Sequence, residues 1–155
     1  MNSMHPTLTP LPAIGRVLLA AIFVLSGIGK LGAIAATSAY MAKAGIPYAN
    51  DLVWGAVAVE LGGGIMLIVG LLARLVAFAF AFYVLTLAVL FHPYWTMTGA
   101  AAHSQFSTFF EHISIMGGML FVVAFGAGPY SIDALIWGGH HPQTALPPPH
   151  PQPAE

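Results

Sequence analysis

Four stretches of the chain are apolar around their whole circumference, and the polar residues gather between them. They cover about 13–31, 52–72, 75–91 and 106–125. A helix needs roughly 20 apolar residues to cross a bilayer core. The pattern therefore predicts an all-α, integral membrane, four-helix antiparallel bundle over 13–137. The link around Ala73 and Arg74 is very short, which makes the spans it joins antiparallel neighbours. Ala35 to Ala44 reads as a short interfacial helix, ended by Gly45 and Pro47. Asn50 or Asp51 is placed to cap the second span. His92-Pro93 closes the third, and Gly126, Gly128 and Pro129 stop the fourth. Residues 1–12, with Pro6, Pro10 and Pro12, read as a flexible lead. Residues 138–155, rich in Pro, His and Gln, read as a disordered tail.

Composition turns the pattern into a membrane assignment. The 155 residues are 58% hydrophobic and 6% charged, where soluble domains carry about 25% charged residues. A net charge of −1 argues against a nucleic-acid partner. The absence of cysteine excludes disulfides, thiolate metal sites and iron–sulfur clusters. A signal peptide is the rival reading of the first span, because Ala33-Ile34-Ala35 looks like a cleavage site. Lys30, lying between the apolar run and that site, and a lead poor in charge weigh against it.

Antiparallel spans sort the polar residues by depth. Arg16, Arg74 and Asp133 fall at the near end, where the first span begins, and predict ion pairs there. Lys30, Glu60, His92, His103, Glu111 and His112 fall at or just inside the far end. Glu60 lies about 12 Å inward by helical rise. An acid inside a span costs roughly 2.5–3.5 kcal/mol on insertion scales and is usually explained by a partner or a function. Gly62, Gly63 and Gly64 beside it allow another helix close. Two readings stand: a polar pocket that binds a head group or passes protons, or a Lys30 pair with Glu60 or Glu111 that fixes helix register. Glu111 and His112 point about 100° apart on a helix. Ser107 and Ser114 share the Glu111 face, which favours Glu111 as the inward residue. Tyr83 is mid-span, and its hydroxyl needs a partner or a cavity.

Other signals are weaker. No His or carboxylate pair has the HxxxH or ExxH spacing that puts two ligands on one helical face, so no metal site is predicted. His140, His141 and His150 read as part of a solvated tail. Gly29-Lys30 suggests a P-loop but fails, because Leu31 stands where Ser or Thr is required. Tyr48, Trp54, Tyr94 and Trp95 fit an aromatic belt at the far end. Cationic residues nearly balance between the ends. Arg16 and Arg74 in short flanks tip the positive-inside rule toward a cytoplasmic near end, with both termini on that side.

Several pieces in order carry a family resemblance. They are R-x-L-L-x-x-x-F-x-x-S-G-x-x-K-L from Arg16, Gly45-Ile46-Pro47, and E-L-G-G-G-x-x-L-x-x-G-L-x-A-R from Glu60 to Arg74. Glu111 and the ending G-x-G-x-x-S-x-D, Gly126 to Asp133, complete the set. Across Arg16 to Leu135 the chain resembles the DoxX family of small bacterial membrane proteins. The resemblance implies a four-helix bundle in the bacterial inner membrane and a loose link to redox systems. Relatives include a small subunit of a thiosulfate:quinone oxidoreductase and a component of a membrane oxidoreductase complex. Most members have no established activity.

The combined expectation is an accessory membrane subunit of a redox system. Lys30 would donate a hydrogen bond to a quinone-like head group or stabilise its anionic oxygen. Glu60 and Glu111 would accept protons, with His92, His103 or His112 nearer the water. A quinone is the cofactor implied, and a redox-enzyme subunit is the partner implied besides the lipid bilayer. Without cysteine or metal-ligand spacing, catalysis by this chain alone is not expected. The alternative is an assembly or scaffold protein whose ion pairs only hold the bundle. A small-solute transporter ranks third, disfavoured by size and by the lack of an internal repeat.

Overall fold

The computed structural model describes residues 10–137. Most of the expected lead and the whole of the Pro- and His-rich tail lie outside the described residues. The chain order is α1 (Leu11–Leu31), α2 (Ile34–Lys43), α3 (Ala49–Ala58), a π-helical turn (Val59–Gly63), α4 (Gly64–Val69), α5 (Ala73–Phe91), a 3-10 turn (Tyr94–Thr96), α6 (Gly99–Phe125) and α7 (Ile132–Trp137). α3, the π turn and α4 run on as one span, Ala49–Val69. With α1, α5 and α6 this makes four helices long and apolar enough to cross a membrane. No strand occurs among the described residues.

Two helix starts differ from the sequence expectation. The second span begins at Ala49, so Asn50 and Asp51 sit inside its first turn rather than at its cap. Tyr48 takes the cap position at φ 54°, without a side-chain hydrogen bond. Asp51 is still favourable there, beside the positive end of the helix dipole. α6 begins at Gly99, because Ala100, Ala101 and Ala102 are strong helix formers despite their polar neighbours. At 1.5 Å per residue α6 is about 40 Å long, more than the roughly 30 Å of hydrocarbon. Its polar first turns extend past the apolar run.

Each span follows the last in the opposite direction. α5 packs most extensively on α6, α1 on α4, and α2 on α3. The core is built from Ala20 and Phe23 of α1, Leu67 of α4, Ala77, Phe80 and Val84 of α5, and Met119 of α6. Phe23 and Phe80 stack with ring centroids 4.0 Å apart and 14° between planes. Leu18, Leu25, Phe82 and Phe121 point outward and are exposed. Such a surface would drive association in water and is the expected one against lipid.

Small residues bring the backbones together. A Cβ on Gly64 would lie 2.7 Å from Val24 Cγ2, and one on Gly63 would lie 2.8 Å from Phe80 Cζ. A Cβ on Gly62 would meet nothing within 4 Å. Gly64→Leu should therefore force α1 away and cost about 1–3 kcal/mol. The measurement is the unfolding midpoint in detergent, with Gly62→Leu expected to stay close to the parent. Equal midpoints for the two variants would show that this approach does not constrain the bundle.

Candidate functional site

Glu60 lies in the π turn and is 2% exposed. A π turn inserts one wider turn into a helix and is frequent at functional sites. Lys30, in the last turn of α1, meets it with Nζ 2.9 Å from Oε1 and 2.8 Å from Oε2. The same ammonium donates to Ser26 Oγ at 2.6 Å. Tyr83 of α5 donates its hydroxyl to Glu60 Oε1 at 2.8 Å. Three spans thus converge on one carboxylate. Lys30–Glu60 is the one salt bridge among the described residues.

This network borders a cavity of about 620 Å³. Leu52, Val59, Leu87 and Leu90 give it apolar walls. Thr37, Tyr40 and Met41 of α2 line it as well, so the short interfacial helix forms part of the enclosure. Tyr40 is pinned by stacking on Phe91, ring centroids 5.2 Å apart. His92 and His112 also line the cavity, with their rings 4.8 Å apart. His92 Nδ1 lies 2.7 Å from Gln105 Oε1, and His112 Nδ1 lies 2.8 Å from the Thr108 carbonyl.

Not every far-end residue joins. Glu111 is exposed and does not line the cavity, while His112 does. The serines that favoured an inward Glu111 satisfy themselves on their own helix. Ser107 Oγ donates to the His103 carbonyl at 3.3 Å and Ser114 Oγ to the Phe110 carbonyl at 2.9 Å. They therefore do not mark an interior face. His103 is exposed on the first turns of α6.

Arg16, Arg74 and Asp133 do share the near end, but not as ion pairs. Arg16 is 3% exposed and turns its guanidinium to backbone carbonyls. It donates to Ala127, to Ile68 at 3.2 Å and to Tyr130 at 2.8 Å. Asp133 accepts the backbone N–H of Leu72 at 2.7 Å and of Ala73 at 2.8 Å, capping α5 from a distance in sequence. Arg74 is exposed beside Gly126. The reason is that helix ends carry unpaired backbone groups, and in a membrane these must be satisfied by protein. An open cleft of about 760 Å³ lies here, but its Asp133 is committed to the cap. The far-end cavity is the candidate site.

No group of three or more His, Cys, Asp or Glu side chains that would hold a metal occurs among the described residues. Sequence spacing underused three features. Ser26 sits four residues before Lys30, the interval that puts both on one face. Gln105, which meets His92 across a connection, left no local signal. The glycine run after Glu60 closes a π turn, which its composition alone does not announce.

Lys30→Met should leave the buried Glu60 charge uncompensated and cost about 3–5 kcal/mol. The double variant Lys30→Met/Glu60→Gln should regain most of that in a detergent unfolding titration. Asp133→Ala removes a two-armed cap and should cost about 0.5–2 kcal/mol in the same titration. An unchanged midpoint would show that Leu72 and Ala73 find other partners.

The sequence matches the model of the family described as DoxX over residues 11–93. The inner membrane protein YphA of Escherichia coli (strain K12) is 34% identical over 120 residues, covering 77% of this chain and 86% of that protein. The inner membrane protein YqjF of the same organism is 33% identical over 124 residues, covering 79% and 89%. No solved structure matches. With four membrane-length helices, these likenesses make the protein a multi-pass inner-membrane protein, and the chain belongs to the DoxX family.

Proposed function

We propose that the protein is an accessory membrane subunit of a redox system, and that its far-end cavity holds a quinone-like head group or passes a proton. The observation that carries this reading is the cavity itself. It combines apolar walls with a polar floor, the buried Glu60 with half-buried Lys30 and Tyr83, and two histidines. Its size falls within the 300–1,000 Å³ typical of small-molecule sites, which are mostly apolar with a few convergent polar groups. The walls suit a hydrophobic body arriving from the bilayer, and the floor suits a polar head. His92 and His112 are the groups through which a proton would exchange with the far side. With the near end cytoplasmic, the cavity opens toward the outer face of the membrane. Glu111, exposed on α6, has no part in the pocket.

A second reading is favoured by a specific observation. All three ammonium protons of Lys30 have partners inside the protein, as they would in a pair that only fixes helix register in an assembly protein. Ligand titration separates the two. The purified chain in lipid nanodiscs should bind a short-tailed quinone–quinol couple saturably. Gly55 borders the cavity, and a Cβ there meets nothing within 4 Å, so Gly55→Leu should fill the space without disturbing the fold. Binding should weaken at least about tenfold, the loss expected when one well-made polar contact is denied. The folded double variant Lys30→Met/Glu60→Gln should also lose binding. No saturable binding, or binding untouched by either change, would leave the assembly reading standing.

A further inference from the structure

The polar groups on the cavity floor have a fixed hydrogen-bonding capacity, and most of it is used within the protein. A lysine ammonium has three donors and no acceptor. Lys30 directs them to Ser26 Oγ, Glu60 Oε1 and Glu60 Oε2. Tyr83 has one O–H and gives it to Glu60 Oε1. What remains is acceptor capacity. Each carboxylate oxygen accepts about two bonds, and Glu60 Oε2 receives one, from Lys30. Tyr83 Oη keeps its lone pairs. The histidines add to this. A carbonyl has no proton to give, so His112 Nδ1 is the donor toward Thr108, and the Nε2 of the neutral ring is an acceptor. His92 stands in the same relation to Gln105 Oε1. Among the described residues the Ser26 O–H on the floor is left without a partner, as are the Thr37 and Tyr40 hydroxyls on the α2 wall.

This deepens the ligand-binding reading above and rests on it. We infer that the cavity selects a head group that donates a hydrogen bond: a hydroxyl on an apolar or aromatic body, such as a phenol or quinol, over the corresponding carbonyl. A carbonyl oxygen reaching the floor finds one free donor, the Ser26 O–H, and finds Lys30 engaged. To draw a proton from it, the ligand must loosen a bond to a buried carboxylate and leave that charge less compensated. A hydroxyl meets Glu60 Oε2 or Tyr83 Oη with no rearrangement and can accept from Ser26 in return. A bond to a charged acceptor is also the stronger class. Lys30 then acts by holding the Glu60 carboxylate in place, not by touching the ligand.

A redox-inert pair of probes tests this. Para-hexylphenol and para-hexylanisole share a body and an oxygen, but the anisole has a methyl group in place of the donor proton. The full chain in nanodiscs is titrated with each by calorimetry, beside Gly55→Leu. The phenol should bind about tenfold more tightly, the effect of one hydrogen bond to a charged group, and Gly55→Leu should abolish the binding of both. Equal affinities that both vanish in Gly55→Leu would overturn the donor preference and leave the cavity reading intact. Binding of neither probe, or binding unchanged in Gly55→Leu, would overturn both.

Discussion

The Lys30–Glu60 ion pair is the constraint on which the far half of the bundle depends. Neither charge is tolerable alone in hydrocarbon, and Glu60 is almost fully buried. The pair ties α1 to the second span at one depth. Tyr83 brings α5 to the same point with a third donor. Lipid tails are as apolar as leucine, so burial of apolar surface gives the helices little reason to associate or to choose a register. A shared polar point supplies both. Gly63 and Gly64, which follow Glu60, let Phe80 and α1 close in beside it.

The near end solves the same problem with different chemistry. There the groups in need are backbone carbonyls and N–H groups at helix ends. Arg16 gathers carbonyls from the end of α4 and from the segment after α6, while Asp133 caps the start of α5. Leu72 adopts a left-handed conformation, φ 49°, that few residues of its type take up. The cap at its N–H holds it there. Gly70, at φ 70°, leaves the room that Arg16 occupies. The bundle is thus polar-fastened at both ends and closely packed by small residues and stacked rings between.

The two ends differ in what they leave over. At the near end most donors and acceptors are spent on the fold, Arg16 Nε being buried without a partner. At the far end they are spent only partly, and they border a half-open cavity with apolar walls. A site that served the fold alone would gain by filling that space with side chains, since close packing is the main attraction available between membrane helices. A cavity beside a buried ion pair in a chain this short is therefore the feature that most needs a functional account.

The sequence by itself determined the spans, the antiparallel order, the family and the division of polar residues between two ends. These follow from length, hydropathy and short links, which act locally and leave a one-dimensional trace. It also named Lys30 as the partner of Glu60 or Glu111, because a lone acid in a span demands one; the structure chose Glu60. Tertiary structure decided the rest. It chose His112 over Glu111, since the rotation of α6 is set by its packing on α5 and not by its own serines. It turned Arg16 and Asp133 from each other to backbone groups, because the ends of other helices presented stronger needs than a counter-charge. It placed Gln105 against His92 and α2 over the cavity, contacts between segments with no shared period. Depth in the membrane is written along the chain; the direction in which each side chain points is settled only when the helices meet.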